Sequence, residues 1–200
     1  MKVADHLKQR GGAVTYLDVD ASGRVTPDQL RAALAERADL VSIQWANSET
    51  GVLQPIEELG QICREHGVAL HVDAAQAVGR MPVDLDNLPI DYLTFTGHKL
   101  HAPQGTGVLF ARDRASLVPL LHGGDQENDR RAGTENVPGI VGIGRAAEER
   151  HQGLGEAIRH MQTLRDRFEE GILDRVEDVV VNGDRSHRVC NTSNIRFAGI

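Results

Sequence analysis

The 200-residue chain carries 22 lysines and arginines against 29 aspartates and glutamates, a formal net charge of −7, with 40% hydrophobic residues. That balance excludes a nucleic-acid surface, which needs a basic stripe against phosphate, and ordinary apolar content with interspersed charge excludes bulk disorder. No apolar run reaches the length of a membrane span, so no membrane is expected as a partner either.

Residues 3–9 read as the tail of a helix that stops at Gly11-Gly12, and 14–19 alternate like a strand. Thr26-Pro27-Asp28-Gln29 is a helix start: Thr26 caps, Pro27 takes the first helical position, and Gln29 can reach back to the cap, with the helix running to about Glu36. A short apolar strand is expected at 40–45, a helix at Ile56–Glu65 stopped by Gly67, and a strand at 68–72 that ends at Asp73. A further strand at 92–95 runs into Thr96-Gly97-His98-Lys99; another apolar run follows at 108–111 and a short helix at 114–121. Residues 123–136 form a long polar loop, then comes a long helical stretch broken near Gly153 and Gly155, then strands at 179–181 and 194–197.

This alternation predicts an α/β fold of three α/β/α layers around a mainly parallel sheet. A boundary is expected near Gly153–Gly155, with a large domain over 1–153 and a linking helix plus part of a small α+β domain over 154–200. Cys63 and Cys190 show no CxxC spacing, so buried inert thiols in a reducing compartment, the cytoplasm, are expected. The first residues have no apolar stretch of the kind a secretory signal needs.

Ligands of open α/β sheets collect at the carboxyl ends of the strands. Two strands end there in conspicuous groups, His71-Val72-Asp73-Ala74-Ala75-Gln76 and Thr96-Gly97-His98-Lys99. A lysine and an aspartate on one rim can be a plain salt bridge. They can also grip pyridoxal 5'-phosphate: Lys99 as a neutral amine forming a Schiff base, and Asp73 keeping the pyridine nitrogen protonated so that the ring accepts electrons. Gln76 could then donate to the ring oxygen, and Thr96 and His98 could hydrogen-bond the phosphate.

The ordered motifs Asn47-Ser48-Glu49-Thr50-Gly51, His71 to Gln76, Thr96 to Pro103, Gly123-Gly124-Asp125-Gln126-Glu127 and Arg131 to Val137 resemble those of cysteine desulfurases of the NifS/IscS type. These are class V, fold type I pyridoxal phosphate enzymes, and the similarity runs from about Val14 to Phe197. The resemblance implies Lys99 as the Schiff-base lysine and base, with His98 beside it. It implies cofactor contacts from Asp73, Gln76, Thr96, His98, Asn47 and Ser48, and from Thr134 toward the phosphate of a neighbouring subunit. A homodimer is therefore implied. So are L-cysteine as substrate, L-alanine as product, and a persulfide whose sulfur passes to an acceptor or iron–sulfur scaffold protein. Without the resemblance, the loop around Thr134 would read as a mobile surface excursion.

The sequence departs from the family pattern at two places. Ser48 stands where the family has a second asparagine, and Asp125 replaces a third glycine, which matters if that backbone needs positive φ. The resemblance also places a Gly-Thr-Glu phosphate turn and a ring-stacking histidine before Met1, a role that His6 does not fit. It places the nucleophilic cysteine and a substrate-binding arginine beyond Ile200; Cys190 and Cys63 do not match the nucleophile motif. The chain is thus expected to be truncated at both ends. The rival readings are another class V enzyme, such as a selenocysteine lyase or an aminotransferase, and a catalytically inactive truncated product. The glycines of residues 139–144 lack the G-x-G-x-x-G order and are expected to pack a helix. His66, His71, His98 and His101 lack a third ligand at metal spacing, so no metal is expected.

Overall fold

A computed structural model describes residues 2–112 and 117–199. The first helix, α1 (Lys2–Gln9), is followed by α2 (Pro27–Ala33), β1 (Leu40–Gln44), α3 (Ile56–Glu65), β2 (Ala69–Asp73) and β3 (Tyr92–Thr96). A 3₁₀ turn (Gly97–Leu100) leads to β4 (Gly107–Ala111). Two long helices, α4 (Val137–Gln152) and α5 (Leu154–Leu173), precede β5 (Val179–Val181) and β6 (Ile195–Phe197).

Among the described residues the first four strands form one sheet in the order β1-β2-β3-β4, and β5 pairs antiparallel with β6 in a second. The pairs β1–β2 and β2–β3 are parallel, whereas β4 runs antiparallel to β3. The ten-residue connection over 97–106 leaves room for a reversal but falls short of the dozen or so residues that a parallel crossover needs.

The start of α2 has the expected capping box: Gln29 N–H donates to Thr26 Oγ1 at 3.3 Å, and Thr26 N–H donates back to Gln29 Oε1 at 2.8 Å. The helix ends at Ala33 rather than near Glu36. α3 presents Ile56, Leu59, Ile62 and Cys63 on one stripe, all buried. They meet Val41, Ile43, Leu70, Val72 and Leu93 from the inner face of the sheet. Each fully buried Leu or Ile contributes roughly 1.5–3 kcal/mol. Buried Gln54 closes this layer: its Oε1 accepts from Val25 N–H and its Nε2 donates to Gly23 O, both at 2.8 Å.

Three expectations change. Residues 14–19 form no strand: among the described residues no neighbouring strand offers them a ladder, and Tyr16 and Val19 stay about half exposed. The Tyr16 hydroxyl instead donates to Asp5 Oδ1 at 3.0 Å. Of the helix expected at 114–121, residues 114–116 lie outside the described residues, and 117–121 are not helical. Asp125 has φ −84°, so the glycine it replaces is not missed there; the left-handed backbone falls on Glu127, Asn128 and Asp129. In α4, Gly142 has the expected packing use, since a Cβ there would sit 2.7 Å from the ring of Pro103, while Gly144 faces open space.

Candidate active site

Alternation along the parallel strands sorts side chains between two faces. Val41, Ile43, Leu70 and Val72 go inward, leaving Ser42, Gln44, His71 and Asp73 on the other face. The register sets Ser42 beside His71, Gln44 beside Asp73, and Asp73 beside Thr94. Asp73 therefore sits mid-sheet at the carboxyl rim, half-buried. The Asp73 carbonyl accepts from Trp45 N–H, and Ala74 N–H donates to Thr94 O, both at 2.8 Å. Its carboxylate Oδ1 accepts from Ala75 N–H at 3.0 Å, which fixes the carboxyl at the rim. Gln76 follows in the same turn, half-buried.

β3 delivers the second group to the same rim. The Thr96 hydroxyl and His98 Nδ1 share a 2.8 Å hydrogen bond, and Gly97 N–H donates to Thr106 O at 2.9 Å. Gly97 has no room for a side chain: a Cβ there would collide with Thr106 Oγ1 and sit 3.0 Å from Ile143 Cδ1 of α4. This contact clamps the 3₁₀ turn between β4 and α4. The turn ends on His101 at φ 65°, a left-handed cap. Lys99 rides on it half-buried while His98 is exposed. Among the described residues, no hydrogen bond or ion pair engages the Lys99 amine, and none joins it to Asp73. No Lys99–Asp73 salt bridge forms, and half-buried Lys99 stands without an ionic partner among the described residues on the turn that follows β3, next to the strand that ends at Asp73.

The other expected residues are placed differently. Asn47 Oδ1 accepts from Glu49 N–H and Thr50 N–H, both at 2.9 Å, so its carbonyl holds the 47–51 turn together. The Ser48 hydroxyl is exposed and donates to Glu49 Oε1 at 3.2 Å. Thr134 is exposed on the polar loop, and among the described residues no hydrogen bond links it to Lys99, Asp73 or Gln76. Both cysteines are buried. Burial, helped by Asp91, pushes the Cys63 thiol up to about 11. Burial also pushes the Cys190 thiol up, against the pull of nearby arginines, and Sγ donates to Arg80 O at 3.6 Å.

Position alone did not single out His71. Its Nδ1 shares a 2.8 Å hydrogen bond with Ser42 Oγ, and its Nε2 one of 3.1 Å with Thr94 Oγ1, so it bridges three strands on the face that bears Asp73. Burial pushes the imidazole below its ordinary value, with the Asp73 charge pulling part of the way back. The signal was the alternation itself, which puts residues 71 and 73 on one face. Among the described residues, no group of three His, Cys, Asp or Glu is placed to hold a metal ion, and no helix is long and apolar enough to cross a membrane.

Comparison with known proteins gives three kinds of match. The family model described as aminotransferase class-V matches residues 1–200. A protein named cysteine desulfurase from Gluconacetobacter diazotrophicus is 48% identical over 190 residues, 95% of this chain and 48% of that one. A solved structure described as a NifS-like protein superposes with a TM-score of 0.94 at 36% identity, covering 100% of this chain and 55% of that one. Another, described as SspA in complex with cysteine, gives a TM-score of 0.83 at 34% identity, covering 98% of this chain and 54% of the other. The chain spans about half the length of the curated relatives it matches. Its mainly parallel sheet with flanking helices is that of the three-layer α/β/α fold expected from its pattern.

Proposed function

The chain belongs to the aminotransferase class-V family, and from that premise we propose that it supplies the lysine and aspartate of a pyridoxal 5'-phosphate-dependent cysteine desulfurase. The observation that carries this reading is half-buried Lys99, without an ionic partner among the described residues, on the turn that leaves β3 beside the strand end that bears Asp73. The residues fit the cofactor: a fixed carboxylate, a free amine and an exposed hydroxyl–imidazole pair suit a ring nitrogen, an aldehyde and a phosphate respectively.

In this reading Asp73 keeps a proton on the pyridine nitrogen, and the Gln76 amide donates to the ring oxygen. Thr96 and His98 hold the phosphate, and Asn47 shapes the turn that brings Ser48 near. The bound cofactor supplies a protonated ring that draws electrons from the substrate Cα. The Lys99 amine anchors the cofactor and then takes the Cα proton of L-cysteine. In the net reaction an enzyme thiol and L-cysteine give an enzyme persulfide and L-alanine. Buried Cys63 and Cys190 are not that thiol, because only an accessible thiolate attacks sulfur.

Thr134 belongs, on this reading, to a neighbouring subunit's phosphate site. A homodimer is supported by exposed apolar side chains on α4 and the loop before it: Leu120 is 91% exposed, Val118 81% and Val141 65%. The sulfur then passes to an acceptor or iron–sulfur scaffold protein, in the cytoplasm. Borohydride reduction of the protein incubated with pyridoxal 5'-phosphate, followed by peptide mass spectrometry, tests the assignment. Phosphopyridoxyl label is expected on Lys99; label spread over surface lysines refutes it.

A further inference from the structure

Between the 80–82 loop, α5 and the 185–190 segment lies a half-enclosed cavity of about 270 Å³, lined by Arg80, Arg165, Arg185, Arg188 and Cys190 among others. None of these residues belongs to the rim described above. Two carboxylates answer the four guanidiniums. Fully buried Glu169 takes Arg188 through two hydrogen bonds of 2.5 and 2.6 Å and lies 3.8 Å from Arg185. Asp166 takes Arg165 at 2.7 Å.

Arg80 has no such partner. Among the described residues its guanidinium makes one hydrogen bond, a long one of 3.5 Å from Nη1 to Ala75 O, and no carboxylate lies within salt-bridge distance. The ionisable groups that act on it are the Cys190 thiol and a second cation, Arg150. A second donor is also unspent: Nε of Arg188, whose side chain is 3% exposed, is buried without a hydrogen-bond partner. A half-buried guanidinium without a counter-ion and a buried N–H without an acceptor are both unfavourable. An anion in the cavity would satisfy both.

We infer that this cavity binds a small oxyanion, gripped by Arg80 with the Nε–H of Arg188 as a buried second donor. The excess of guanidinium over carboxylate favours a dianion such as sulfate or hydrogen phosphate over a monocarboxylate. The site is independent of the cofactor assignment and can be tested without it.

The test titrates sodium sulfate into the chain at constant ionic strength, with calorimetry and ¹H–¹⁵N spectra of the arginine Nε–H groups. Saturable binding is expected, with shifts concentrated on Arg80 and Arg188. Arg80→Gln should weaken binding about tenfold or more, the loss of one charge-assisted contact. Arg145→Gln, on the exposed face of α4, should leave it unchanged. Sodium acetate should bind more weakly than sulfate. Non-saturating shifts, shifts spread over surface arginines, or equal affinity in Arg80→Gln overturn the site; acetate binding as tightly as sulfate overturns the dianion assignment. The wild-type map needs no variant, so it decides the matter even if Arg80→Gln fails to fold.

Discussion

Glu169→Gln is the perturbation with the largest expected effect on stability. Glu169 on α5 and Arg188 form a fork-to-fork pair at 2.5 and 2.6 Å with side chains 0% and 3% exposed. Burial pushes the Glu169 carboxyl up, but the Arg188 hydrogen bonds, helped by the charges of Arg188 and Arg185, win and hold it below the usual carboxylate range. Removing one member of a buried pair costs about 3–5 kcal/mol, because the other charge stays behind. Gln keeps one acceptor but turns an N–H₂ toward the guanidinium, so about 3 kcal/mol is expected, a sizeable share of a stability of about 5–15 kcal/mol. With a urea m-value of about 1–3 kcal/mol/M, the midpoint should fall by about 1 M or more. The pH dependence has a definite sign. The folded carboxyl titrates below the unfolded one, so its contribution is full above about pH 4.3 and is lost as pH falls through the folded value. The gap between wild type and Glu169→Gln should narrow in that acid window and stay flat above it. The double variant Glu169→Leu/Arg188→Met should recover most of the loss, since a well-packed apolar pair can replace a buried ionic one. Urea unfolding followed by circular dichroism measures all three proteins. A loss under about 1 kcal/mol in Glu169→Gln, or a double variant as unstable as the single, would refute the reasoning.

Three further outcomes are expected. Lys99→Ala should abolish the visible absorbance that pyridoxal 5'-phosphate acquires on binding; an unchanged spectrum refutes the lysine assignment. The His71 ring signals should titrate below the ordinary histidine value of about 6.5, because burial lowers its affinity for protons. The unfolded state then binds the extra proton first, so His71 removes stability as pH falls from about 6.5; in His71→Asn that slope should be absent, and an unaltered slope in urea titrations contradicts the placement. The purified chain should make no persulfide from L-cysteine, because both its thiols are buried; steady alanine release in an amino-acid assay would overturn this.

The elements that span the rim were legible because short-range signals agree with one another there. Thr26, Pro27 and Gln29 announce α2, and the stripe Ile56, Leu59, Ile62, Cys63 announces α3. Other features depend on partners distant in sequence. Residues 14–19 alternate as a strand should but find no ladder among the described residues. The pairing of Glu169 with Arg188 joins residues 19 positions apart, and no spacing rule connects them. Asn47 was legible as a motif residue but not as the organiser of its own turn, because an Asx turn and a ligand contact call for the same side chain.

The face on which Asp73 stands is decided by residues that do no chemistry. Leu70 and Val72 are fully buried against the helix layer, and the side-chain period of a strand is two. A slip of one residue would bring His71 and Asp73 under α3 and carry two large apolar side chains to the open face. Burying the two of them is worth roughly 3–6 kcal/mol at 1.5–3 kcal/mol each, before the cost of placing a carboxylate in an apolar layer. The same reasoning holds one strand over, where Leu93, 1% exposed, points inward and sends Thr94 and Thr96 to the face shared with His71. The aspartate and the strand that leads to Lys99 therefore meet on one rim because their apolar neighbours cannot be elsewhere.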